Sequence, residues 1–181
     1  PPDPAKRVIG VFLKEKKLID SVAPELKRHF GAVDLVSHWL AFDFTDYYRK
    51  EFGTPLFRRV FTFKQLMDQD ALSETKQITN AIENRFLGRR KNDENAHRRV
   101  NIDPGYMLRE RFVLATGKNF AHRIYVGDGI YADLTLIYQQ KKFHPLPWTY
   151  PDYASSEMLA FLEQVRSRYI GDLNNTQQAV S

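Results

Sequence analysis

Arg123 and Asp133 carry the sharpest chemistry in this chain, because both fall in one hairpin-like stretch, HRIYVGDGIYAD, at residues 122–133. With a three-residue loop at Gly127-Asp128-Gly129 and Gly129 left-handed, side-chain alternation sets Tyr125 against Tyr131 and Arg123 against Asp133. A two-residue Asp-Gly loop would instead put Ile124 opposite Asp133 and mix apolar with polar faces. An Arg–Asp pair beside two tyrosines stabilises a sheet by about 0.2–1 kcal/mol. The same constellation is a platform for a phosphate, a carboxylate or a planar base. In this register His122 turns with Ile124 and Val126 toward the apolar face. It is then either a core histidine satisfied by a hydrogen bond, or a general acid–base in contact with Asp103 or Asp43.

A second polar block is NIDPGY, Asn101 to Tyr106. Asn101 and Asp103 share a face by strand alternation and could address one ligand, whereas the Asp-Pro-Gly run is also a turn signal in which Asp103 simply accepts turn amides. Tyr106 closes the block and joins the ligand-binding candidates, as does Asp128 at the hairpin tip. Asp43, Asp46 and Tyr47 sit at a strand-to-helix junction, where Asp43 caps the helix or, with Asp46 and Tyr47, faces the same ligand. No H-x-x-x-H spacing appears, so no metal is expected and no cofactor is implied.

Composition removes several chemistries. The chain has no cysteine among its 181 residues, which excludes disulfides, thiol nucleophiles and Cys-ligated metals together. A cytoplasmic home follows most simply. Nothing approaches the 18 or so consecutive apolar residues of a membrane span. FVLATGKN, Phe112 to Asn119, is the nearest approach to a phosphate-binding loop. It lacks the first glycine and the Ser/Thr that would hold magnesium. The net charge of +5 is mild and draws on Arg85, Arg89, Arg90, Lys91, Arg98 and Arg99. That run is either a solvated loop or an electrostatic footprint for RNA.

The elements that must position these groups read as β-α-β-β-α-β followed by a further strand and a hairpin. Lys6 to Leu13 is a buried strand. A helix to Phe30 carries Leu18, Val22, Leu26 and Phe30 at four-residue steps, with Gly31 as its cap. Pro24 either falls in that helix's first turn or kinks it. Val33 to Phe42 reads as a strand, Asp43 to Gly53 as a short helical insertion, and Leu56 to Phe63 as a strand. A helix over Asp70 to Leu87 carries Leu72, Thr75, Thr79, Ile82 and Phe86 and is closed by Gly88. A strand over His97 to Ile102 ends at the Asp-Pro-Gly turn. A last helix runs from Ser156 to Tyr169. The expected architecture is one α+β domain, residues 1–170, with a flexible tail at 171–181. Its antiparallel sheet begins as a ferredoxin-like unit, and its helices lie mainly on one face.

The blocks FDFTDYY, RRVNIDPGY, LATGKNFAHRIYVGDGIYADLTL and LPWTYPDY resemble those of an uncharacterised prokaryotic family, a domain of unknown function. Some of its members carry the label GTP-binding protein, which no motif of this chain supports. The resemblance implies a single cytosolic domain and no particular chemistry. From the residues themselves, the expected function is binding, with or without turnover, of an anionic small molecule such as a nucleotide or phosphorylated metabolite. Arg123 would hold the anion, Tyr125 and Tyr131 would stack, and Asp103 with His122 would carry protons. The alternative is an RNA- or protein-binding accessory module working through Arg89, Arg90, Lys91, Arg98 and Arg99.

Overall fold

A computed structural model describes residues 1–41, 56–88 and 97–180. The elements are β1 (Ala5–Leu13), α1 (Ile19–Phe30), β2 (Val33–Val36), β3 (Leu40–Ala41), β4 (Phe57–Met67), α2 (Leu72–Arg85), β5 (Leu87–Gly88), β6 (His97–Arg98), β7 (Val100–Met107), β8 (Arg111–Thr116), β9 (Arg123–Gly127), β10 (Ile130–Gln139), β11 (Lys142–Pro145) and α3 (Ser156–Val180). Nine strands form one sheet with the order β11-β10-β8-β7-β1-β4-β2, while β3 adds to β4 and β9 adds to β10. Within it β7, β1, β4 and β2 keep the 4-1-3-2 order and antiparallel pairing of a split βαβ unit. This is the ferredoxin-like start expected from the sequence, extended by β8, β10 and the hairpin.

Alternation along the strands decides what each face meets. Ile9, Val11 and Leu13 of β1, Phe61 and Phe63 of β4, and Val100 and Ile102 of β7 project to one face. There they pack against Val22, Leu26 and Phe30 of α1 and Ile82 of α2. The other face carries Val8, Val60, Met107 and Phe112 against Met158, Leu162, Val165 and Tyr169 of α3. Two helices therefore cover one face and α3 the opposite one. α3 continues past Tyr169 to Val180 because Leu173, four residues on, is again buried. Lys6 joins the layers: it is fully buried, and its Nζ lies 2.6 Å from both Asp34 of β2 and Asp172 of α3.

Several boundaries differ from the sequence reading. Pro24 lies inside α1, beyond its first turn, so the amide that would have bonded Asp20 is missing there. Gly31 has φ +84 and takes the cap as expected. The strand expected over Val33 to Phe42 is broken into β2 and β3, because Ser37 turns aside: its N–H reaches the Val60 carbonyl and its Oγ accepts the Val60 N–H. Gly88 does not close α2; the helix ends at Arg85, and Leu87–Gly88 pairs with His97–Arg98. The insertion at Asp43 to Gly53, with Asp43, Asp46 and Tyr47, lies outside the described residues, as do Arg89, Arg90 and Lys91.

Asp103-Pro104-Gly105 is not a turn. β7 runs straight through it, pairing with β1 from Lys6↔Met107 to Leu13↔Val100. The hairpin keeps the expected pairs Arg123↔Asp133, Ile124↔Ala132 and Tyr125↔Tyr131 but reaches them differently. Gly127 pairs with Ile130 around a two-residue Asp128-Gly129 turn whose φ angles are 52 and 74, and a bulge beside it restores the register. β9 is an edge strand, so Ile124 and Val126 face solvent rather than the expected core. β9 and β11 lie end to end along the outer edge of β10. In the gap between them, the Leu134 and Thr135 carbonyls accept hydrogen bonds from Trp148 Nε1 and Thr149 Oγ1. These bonds fix the Pro-rich segment that crosses this end of the sheet.

Candidate functional site

The site begins where the sheet parts. β7 and β8 pair only over Gly105–Met107 and Phe112–Leu114. Beyond that, Ile102 turns its backbone away from β1 and finds side chains instead of a strand. Its N–H donates to Glu83 Oε1 at 2.5 Å and its carbonyl accepts from Lys76 Nζ at 2.9 Å. Pro104, two residues on, faces the same edge by strand alternation, and having no N–H it leaves no donor unpaired there. Gly105 then lets the strands close up, since a Cβ at that position would lie 2.3 Å from the Val113 carbonyl. The opening is a cleft of about 330 Å³ between the diverging strands.

Three walls surround it. Lys76, Asn80 and Glu83 come from one face of α2, at spacings of four and three. The Glu83 carboxyl is buried, and desolvation pushes its pKa above the ordinary range, helped by the negative charge of Asp103 against the opposing pull of Lys76, the Ile102 amide and Arg98.

The second wall is a relay across β6, β7 and β4. Arg98 donates to Asn101 Oδ1 at 2.8 Å, Asn101 donates to Asp103 Oδ1 at 2.8 Å, and Arg58 Nη2 reaches Asp103 Oδ2 at 3.2 Å. Arg58 also pairs with Asp152, and its guanidinium lies 4.6 Å from the centre of the Tyr153 ring. Gly10 leaves room for Tyr153, whose hydroxyl would be 3.2 Å from a Cβ there.

The third wall is the expected hairpin pair. Arg123 Nε donates to Asp133 Oδ2 at 2.8 Å, its Nη1 to the Lys118 carbonyl at 3.0 Å and its Nη2 to the Tyr150 hydroxyl at 3.3 Å. Burial alone would lower the Arg123 pKa, but the bonds to Asp133 and Tyr150 outweigh it and hold the guanidinium above its ordinary value.

Asn101, Asp103, Arg123 and Asp133 are thus brought to one cleft. His122 is not among its lining residues. It stands behind Asp133, with Nε2 3.2 Å from the same Oδ2 that Arg123 uses, and its ring stacks on Trp148 at 4.7 Å and 11°. His122 does not share a face with Ile124 and Val126, because the chain has left the β10 ladder by residue 122: the pairing ends at Arg123, whose N–H goes to the Phe120 carbonyl. The His122 side chain is nonetheless largely buried and hydrogen-bonded, as the core-histidine reading expects. The described carboxylate partner is Asp133 rather than Asp103.

Tyr125, Tyr131 and Asp128 also stand outside the cleft. The two tyrosines meet edge-on at 5.3 Å, and Tyr125 Oη accepts the Gly129 N–H. Asp128 accepts from Ser73 Oγ and, through its carbonyl, from Gln77, which pins the hairpin tip to α2. Tyr106 is a core residue, its pKa raised by burial. Arg99 pairs with Glu15.

Arg58, Lys76, Asn80, Glu83 and Asp152 were not read as site residues from the sequence. For α2 a signal existed: Thr75, Thr79 and Glu83 recur at four-residue steps on the face that also buries Leu72 and Ile82. Among the described residues, no group of three or more His, Asp or Glu side chains could hold a metal ion, and no helix is long and apolar enough to cross a membrane.

Residues 3–169 match the profile of a domain of unknown function, DUF4416. The chain belongs to the DUF4416 family. No curated protein and no solved structure matches it. Every wall of the cleft draws on residues inside the matched DUF4416 span.

Proposed function

We propose that the cleft binds an anionic small molecule, a phosphorylated metabolite or nucleotide being the best-fitting class. The observation that carries this reading is the charge around one cavity. Arg58, Lys76, Arg98, Lys118 and Arg123 line it against the carboxylates Glu83, Asp103, Asp133 and Asp152. The cations are in excess, and Glu83 holds a proton more readily than an ordinary carboxyl. A cavity of about 330 Å³ lies in the size range of small-molecule sites. Arg123 presents a guanidinium already fixed by Asp133, so little freedom is lost when it meets an anion.

The alternative of an RNA-binding module draws less support from the described residues of the basic run, because Arg98 lines the cleft and Arg99 pairs with Glu15. Turnover would fall to Glu83 and Asp103, two of the carboxyls that line the cleft. The same reading puts the chain in the cytoplasm, where phosphorylated metabolites are held.

A melting screen against phosphorylated and carboxylated metabolites tests the proposal. A ligand at a hundred times its Kd adds about 2.7 kcal/mol, which in a chain of this size is a rise of roughly 5–10 °C. Arg123→Gln should abolish the rise. If no anion shifts the melt, or if Arg123→Gln leaves the shift intact, the cleft is not the site. RNA affinity that collapses with salt while metabolites do nothing would favour the alternative.

A further inference from the structure

We infer that the ligand of this cleft carries a planar aromatic or heteroaromatic ring beside its anion, and that the ring stacks on an aromatic rim beside the cleft, reached past Tyr150. The inference rests on the reading of the cleft as an anion site and names the substrate class.

Phe120, Trp148 and Tyr150 stand 64%, 38% and 46% exposed, an unusual concentration of rings in water. They are not loose. Trp148 is held by its Nε1 bond to the Leu134 carbonyl at 2.7 Å and lies flat on His122, with Phe120 5.4 Å from the same imidazole. Tyr150 is tied to the cleft itself, its hydroxyl accepting from Arg123. Tyr150 thus lines the cleft with Lys118 and Arg123, while Trp148 and Phe120 sit on His122 behind the Arg123–Asp133 pair, adjoining the cavity rather than lining it. That pairing of rings with cations recognises an anion joined to a flat ring, because stacking accepts any such ring while the cations select its charge.

A mononucleotide supplies both parts in one molecule. A docked protein strand suits the edge less well: the Arg123 N–H is already given to Phe120, and β9 is five residues long with a bulge in it.

The test titrates the full chain with ribose 5-phosphate and with the four nucleoside 5′-monophosphates, read by calorimetry and by tryptophan emission. At least one monophosphate should bind about tenfold tighter than ribose 5-phosphate and quench Trp148. Trp148→Leu and, separately, Phe120→Ala should bring that ratio toward one, while Trp148→Phe should keep most of it. Equal affinity for ribose 5-phosphate and every monophosphate overturns the ring inference and leaves the anion reading standing. No binding by any probe overturns both. A single-stranded hexanucleotide bound about a hundredfold tighter than any monophosphate would assign the rim to a polymer and overturn the inference.

Discussion

Glu83 Oε1 accepts the backbone N–H of Ile102 at 2.5 Å, in place of the strand that β7 lacks there. A carboxylate thus does the work of a ladder partner at the floor of the cleft, and the cost falls on its charge. Burial, with Asp103 nearby, makes Glu83 hold its proton more tightly in the folded chain than in the unfolded one. Its favourable contribution is then complete below the unfolded pKa of about 4.3 and is lost as pH rises through the higher folded value. Glu83→Gln keeps an acceptor for Ile102 and carries no charge. Urea melts should therefore show this variant gaining on the wild type between pH 4 and pH 7. A gap that stays constant with pH would contradict the argument.

Arg58 is buried between Asp103 and Asp152. Arg58→Met fills similar space but strands two carboxylates, and breaking a buried pair in this way costs about 3–5 kcal/mol. Chemical denaturation should show that loss. A cost below about 1 kcal/mol would mean that the pair is solvated rather than structural.

Gly105 and Gly117 make opposite predictions. A methyl at Gly105 meets the Val113 backbone carbonyl at 2.3 Å, whereas nothing lies within 4 Å of one at Gly117. Gly105→Ala should cost about 3 kcal/mol or force β7 and β8 apart, and Gly117→Ala should stay within about 0.5 kcal/mol. Thermal melts of the two variants decide it, and equal effects would refute the close approach.

Asp34 is governed by opposing effects. Burial alone would raise its pKa, but hydrogen bonds from Lys6 and Arg168 together bring it below the ordinary carboxylate range. Its stabilising effect is present above the unfolded value, about pH 4, and is lost as pH falls through the folded one. Asp34→Asn should lower stability at pH 7 by about 3 kcal/mol and flatten the acid limb of the stability profile below pH 4 or so. An acid limb identical to the wild type would place the sensitivity elsewhere.

Much of the fold was legible because its strands alternate cleanly and its helices carry stripes at four-residue steps. The Arg123–Asp133 pairing could be read from the faces of the hairpin alone, although the turn that produces it could not. Two geometries satisfy the same alternation once a bulge is allowed, and the bulge leaves no mark in residue order. Asp-Pro-Gly misled for a physical reason: residues that usually break a strand are tolerated where its outer edge first lacks a neighbour, at Pro104, and then needs close approach to one, at Gly105. Glu83 and Arg58 were hidden differently. A charged residue on an inward face reads as a fault in a pattern until its partner, here the Ile102 amide that hydrogen-bonds Glu83 or the Asp152 carboxylate that pairs with Arg58, is seen beside it.

The tie between Lys6 and Asp172 has a consequence for how the chain is made. The two residues are 166 positions apart, so a growing polypeptide exposes its ammonium long before the second carboxylate has been synthesised. Until α3 arrives, a group destined for complete burial has, among the described residues, Asp34 alone to pair with. Translation must therefore run nearly to the end of the domain before the sheet can seal, and a ribosome stalled earlier would present an open, chaperone-accessible intermediate.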